Sequence, residues 1–134
     1  MNDGRPLRTL LHIDDDPEIR EIVALALNRL GGIEVRSAPS GQAGLDQARN
    51  DPPDFILLDF MMPGLDGLSV LCMLKAEPGV CDIPVVFLTA HADTDVRDRM
   101  RALGAVDVVD KPFRAAELLR RVNASWTLHL QQRG

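Results

Sequence analysis

The chain has 134 residues, enough for one domain with a real core, and its 46% hydrophobic and 26% charged residues argue against disorder. The net charge is −5, and the basic residues are scattered apart from Arg97, Arg99 and Arg101 and the pair Arg120 and Arg121, which argues against direct nucleic-acid binding. Apolar runs such as FILL and VVFL are far too short to span a bilayer, and the start MNDGRPLRTL lacks the apolar stretch of a secretory signal. A soluble, cytoplasmic chain without membrane insertion is therefore expected, with Cys72 and Cys81 as free thiols in a reducing compartment.

A first strand is predicted over residues 10–13, apolar and ending in Asp14-Asp15-Asp16. Asp16, Pro17 and Glu18 then signal a helix start: a capping acid, a proline at the first position and an acid in the first turn. Ile19, Ile22, Val23, Ala26, Leu27 and Leu30 give that helix one apolar face, and Gly31-Gly32 ends it. Residues 33–38 read as a second strand. A second helix runs from a Ser40 cap to about Asn50, weakened by Gly41 and Gly44. Residues 55–58 form a third, wholly apolar strand ending at Asp59. A helix follows over 68–77, a fourth strand over 85–88 ending at Thr89, and a helix over 93–103 stopped at Gly104. A fifth strand over 106–109 leads to Lys111-Pro112, and Ala115, Leu118, Leu119, Val122 and Trp126 stripe the last helix.

These are five β-α units. Short strands apolar on both faces belong in a parallel sheet covered by helices on both sides, and right-handed crossovers leave few topologies. The predicted fold is flavodoxin-like α/β, a doubly wound five-stranded parallel sheet of order 2-1-3-4-5 with five helices. One domain is expected over residues 1–134 with its core at about 8–130, and the end soon after the fifth helix leaves no room for an output domain.

Ligands of such sheets bind beyond the carboxyl ends of the strands, where the strand order reverses. Asp14, Asp15, Asp59, Thr89 and Lys111 all stand at strand ends, so they converge there. Three close carboxylates repel one another unless a cation intervenes, and Mg²⁺ suits oxygen ligands of this kind. Lys111 offers a point charge for a phosphoryl oxygen or for Asp59, and Thr89 a hydroxyl. This set fits phosphoryl transfer to the Asp59 carboxylate, which needs no general base because it is already ionised.

At these residues the chain resembles the receiver domains of two-component response regulators, over residues from about 8 to 130. LHIDDDPEIR, FILLDFMMPGLDG, VVFLTA and VVDKPF occur in the family's order and spacing. The resemblance implies Mg²⁺ held by Asp14, Asp15, Asp59 and the backbone carbonyl of Met61, with Asp59 as phospho-acceptor. It also implies Thr89 and Lys111 at the phosphoryl group, and a cis peptide before Pro112. It implies a phosphohistidine donor on a sensor histidine kinase or histidine phosphotransfer protein, a downstream protein target and no direct nucleic acid. The family's switch couples Thr89 to an aromatic residue on the fifth strand. That position holds Val108 here, so the switch must work differently. The resemblance also implies that Met61 and His91, at positions near the phosphoryl group that vary within the family, set how fast water removes it; the plainer reading of His91 is a surface histidine.

Plainer readings stand beside these. Asp16 reads as a helix cap and Asp66 as a turn residue, Trp126 as an anchor for the last helix, and His12 and His129 as residues without a special role. The arginines near the fourth helix read as a solvated face on the expected output surface. Two other functions are weighed: a haloacid dehalogenase-type phosphatase with its nucleophile among Asp14, Asp15 and Asp16, and a pseudo-receiver that only binds partners. A stand-alone regulator and an excised piece of a longer protein both remain open.

Overall fold

A computed structural model describes residues 4–90 and 92–133; of Arg133 only the backbone is described. The elements alternate as β1 (Thr9–Ile13), α1 (Pro17–Gly31), β2 (Glu34–Ala38), α2 (Gly41–Asn50), β3 (Phe55–Asp59), α3 (Gly67–Lys75), β4 (Val85–Thr89), α4 (Thr94–Ala102), β5 (Asp107–Asp110) and α5 (Ala115–Arg133). The strands pair in parallel in the order β2-β1-β3-β4-β5, the predicted topology.

Successive strand residues face opposite sides of a sheet, and the core divides accordingly. Leu10, Phe55, Leu57, Val86, Leu88 and Val109 pack with Val23 and Leu27 of α1 and with Leu118, Val122 and Trp126 of α5. Leu11, Ile13, Ile56, Leu58, Val85, Phe87 and Val108 pack with Leu45 of α2, Val70, Leu71 and Leu74 of α3, and Met100 of α4. Each such side chain, fully buried, contributes about 1.5–3 kcal/mol. β1, β3 and β4 are thus covered on both faces, which is why they read as largely apolar runs, while β2 at the sheet edge stays partly exposed and carries polar residues.

The helix ends follow their local chemistry. Asp16 caps α1, accepting from the backbone N–H of Glu18 and Ile19, with Pro17 in the first turn. Gly31 is the last helical residue, and Gly32 makes the left-handed turn at φ 65° that closes the helix. Asp66 does more than turn the chain: its side chain caps α3 by accepting from Ser69 N–H at 2.8 Å. The glycines that weaken α2 by propensity serve packing instead. A Cβ on Gly44 would lie 2.4 Å from Ile13 Cδ1, so its absence lets α2 lie close on β1. Trp126 anchors α5 as expected: it is buried and its indole N–H donates to the Arg5 carbonyl at 2.7 Å.

Candidate functional site

Parallel strands end on one edge, and the neighbouring tips of β1 and β3 bring their acids together. Ligand oxygens of Asp14, Asp15 and Asp59 all lie within 4.8 Å of one another. Asp14 is fully buried and Asp59 nearly so, while Asp15 is exposed. The backbone holds Asp14 in place. Its N–H donates to Ala38 O at 3.1 Å and its carbonyl accepts from Arg20 Nη1 at 2.8 Å. Its Oδ1 accepts the Asp16 N–H at 2.9 Å.

Lys111 reaches in from beyond β5. Its Nζ lies 3.0 Å from Asp14 Oδ2 and 3.5 Å from Asp59 Oδ1. Its backbone N–H donates to Thr89 O at 2.8 Å, which ties the lysine to the end of β4, and the Lys111–Pro112 peptide is cis. One ammonium therefore serves two buried carboxylates.

The two acids are driven apart in acidity. Burial, then the Asp14 charge, pushes the Asp59 carboxyl up from 3.8 to about 6 against the pull of Lys111. Burial works on Asp14 as well, but the neighbouring His12 ring nitrogen, the Asp16 N–H and the Lys111 ammonium outweigh it and hold the carboxyl at about 2. Such values belong to the pair rather than to either residue alone.

Three carboxylates, two of them sharing one lysine and one raised in pKa, form the hard-oxygen donor set that a small divalent cation needs. The residues fit Mg²⁺ on that chemistry.

Thr89 is fully buried at the tip of β4. Met61 follows β3 in the loop and is 67% exposed. Val108 is buried in the core beneath α4, beside Phe87 in the sheet register, so it is an interior residue. His91 lies outside the described residues.

Three features of the site escape a reading of local sequence. His12, read as having no special role, is fully buried with Nε2 3.4 Å from Asp14 Oδ2. Its only sequence signal is a polar residue inside the run LLHI. Gly67 opens α3 directly against β3: a Cβ there would sit 2.4 Å from the Asp59 carbonyl and 2.9 Å from Phe87 Cε1. Asp107 gathers Arg101 of α4 at 3.3 Å and Arg121 of α5 at 2.8 Å. With the Arg97–Asp110 pair, these ion pairs tie both helices to β5, so Arg97 and Arg101 are more than a solvated face.

Comparison with known proteins agrees with this architecture. The pattern that describes the response regulator receiver domain matches residues 10–123. The chain is 45% identical over 116 residues to the transcriptional regulatory protein CseB of Streptomyces coelicolor, covering 86% of this chain and 47% of that one. It is 38% identical over 117 residues to the phosphate regulon transcriptional regulatory protein PhoB of Escherichia coli, covering 87% and 51%. The chain thus spans about half the length of the curated relatives it matches. Among solved structures, it superposes on the receiver domain of the Francisella response regulator 1452 with a TM-score of 0.82 and 30% identity, covering 90% of this chain and 98% of that one. It superposes on the chemotaxis response regulator CheY4 of Vibrio cholerae with a TM-score of 0.83 and 26% identity, covering 89% and 98%. The sheet order, the sequence match and these relatives agree: this chain belongs to the response regulator receiver domain family.

Proposed function

We propose that this chain accepts a phosphoryl group on Asp59 from a phosphohistidine of a sensor histidine kinase or histidine phosphotransfer protein. The observation that carries the proposal is Asp59 itself: a nearly buried carboxylate at the tip of β3, beside two more acids and within 3.5 Å of a lysine.

In the proposed step an Asp59 oxygen attacks phosphorus, the P–N bond of the donor breaks, and its electron pair returns to the imidazole. A carboxyl at about 6 is mostly ionised at neutral pH, so the nucleophile is ready without a base. The transition state spreads negative charge over three phosphoryl oxygens. Lys111 Nζ, already between Asp14 and Asp59, is the cation that swings toward it. Thr89 supplies a hydroxyl at the adjoining strand tip, in the role the family resemblance gives it. Asp14, Asp15, Asp59 and the Met61 carbonyl would hold Mg²⁺, which supplies further positive charge. The same site, attacked by water, returns Asp59 to its free form; in this reading the chain acts on no other substrate.

The response then passes through β5. Val108 is too small for an aromatic ring swing, so movement of Thr89 is relayed through packing and through the Asp107 and Asp110 ion pairs to α4 and α5. The altered surface contacts a downstream protein. With the family established, no observation favours the haloacid dehalogenase reading.

Incubation with acetyl phosphate and Mg²⁺ tests the assignment. Wild type gains the mass of one phosphoryl group and Asp59→Asn gains none. A variant that is still modified moves the site elsewhere, and a wild type that never reacts leaves a pseudo-receiver.

A further inference from the structure

Among the described residues, His12 is the one buried polar side chain at this site with no role in the step above. It stands on β1 between Leu57 of β3 and Ser37 of β2, and its ring is fully buried. Among the described residues, neither of its ring nitrogens has a hydrogen-bond partner. A buried donor left unmade is costly, and apolar residues fill the other interior positions of this strand, Leu10, Leu11 and Ile13. Residues two apart on a strand share a face, so the ring points along the sheet toward Asp14. Nε2 lies 3.4 Å from Asp14 Oδ2, a long contact without the alignment of a formed hydrogen bond. The donor that holds that oxygen now is Lys111, whose Nζ donates to it at 3.0 Å.

The lysine cannot keep both engagements. A phosphoryl group on Asp59 adds anionic oxygens on the side from which Lys111 Nζ is 3.5 Å away, and the ammonium turns to them. Asp14 Oδ2 is then a buried carboxylate oxygen without its donor. We propose that His12 is a positioning residue: its Nε2–H closes onto Asp14 Oδ2 as Lys111 leaves, and so holds Asp14 in its orientation in the modified state. The move needed is a few tenths of an ångström to reach an ordinary charge-assisted hydrogen bond. This inference rests on the Asp59 reading and deepens it.

Beryllofluoride with Mg²⁺ is the probe, and ¹⁵N spectra of the imidazole are the first readout. On loading, the His12 Nε2 proton moves downfield and exchanges more slowly, while the ring stays in the Nε2–H form. The second readout is affinity. His12→Leu, which suits an apolar strand, weakens beryllofluoride uptake about tenfold, the size of one hydrogen bond to a charged group. His12→Gln, whose amide nitrogen can reach nearly the same place, recovers most of it. Mg²⁺ affinity of the unmodified protein changes less than about twofold in either variant, because Lys111 still holds Asp14 there. Loading of wild type with an unmoved His12 signal, or equal losses in the Leu and Gln variants, overturns the handover while leaving Asp59 as acceptor. A wild type that takes up no beryllofluoride overturns both.

Discussion

Lys111 and Asp14, 97 positions apart in the chain, form an ion pair of 3.0 Å in which the carboxylate is fully buried and the lysine side chain only 14% exposed. The pair is an electrostatic hinge for the site. With the His12 contact and the Asp16 N–H it keeps Asp14 ionised, while burial and the Asp14 charge push Asp59 up although it shares the same ammonium at longer range.

The first consequence is a stability profile. A carboxyl whose pKa is raised on folding binds its proton more tightly folded than unfolded, so stability falls as pH rises. For Asp59 that loss runs from its ordinary 3.8 to about 6 and is fully present above it. Asp14 has the opposite sign: its stabilisation is present above 3.8 and lost as pH falls toward about 2. Metal-free Asp59→Asn should therefore exceed wild type in stability by about 1–3 kcal/mol near neutral pH, with the gap closing toward about pH 4. Urea melts across that range check it; parallel curves contradict it.

Asp15 separates cation binding from folding. It is exposed, so Asp15→Asn should change metal-free stability by no more than about 0.5 kcal/mol. Yet it supplies one of three ligand oxygens within 4.8 Å. Mg²⁺ should raise the melting temperature of wild type and do so much less in the variant, because only binding to the folded state stabilises it. An undiminished Mg²⁺ response in Asp15→Asn would remove that residue from the ligand set.

Removing the lysine exposes the repulsion it masks. Lys111→Met leaves Asp14 and Asp59 facing each other without a cation, at a cost of about 3 kcal/mol above pH 6 and less where Asp59 is protonated. Added Mg²⁺ recovers part of the loss. Thermal melts with and without the ion measure it, and an unchanged stability would mean that the lysine is a bystander.

Gly67 gives a steric test. By helix propensity Gly67→Ala should stabilise α3 by about 1 kcal/mol. Here the new Cβ meets the Asp59 carbonyl at 2.4 Å, so the loop after β3 must shift and the net effect becomes a loss of about 1–3 kcal/mol. Labelling by acetyl phosphate should slow in parallel. A stabilised, fully reactive variant would show that the loop yields freely.

Much of this was legible before the coordinates. Apolar runs ending in Asp14, Asp59 and Thr89, with Lys111 after the last run, mark strand tips, and parallel topology alone brings strand tips to one edge. Contacts set by packing between elements were not legible. His12 reads as an odd residue in an apolar strand until the register of β1 turns it toward Asp14. Gly44 reads as a helix weakener until α2 lies on Ile13. Asp107 sits unremarked inside the predicted fifth strand until α4 and α5 each bring an arginine to it. In each case the informative neighbour is distant in sequence, and local propensity carries no trace of it.

In the proposed reaction the phosphoryl group rests on Asp59 and on no other acid of the cluster. Borohydride reduction of the phosphorylated protein, followed by peptide mapping, reads this directly, because only an acyl phosphate is reduced, to homoserine. Asp59 should be converted, with Asp14 and Asp15 intact. Homoserine at either of those positions, or none after verified phosphorylation, would contradict it.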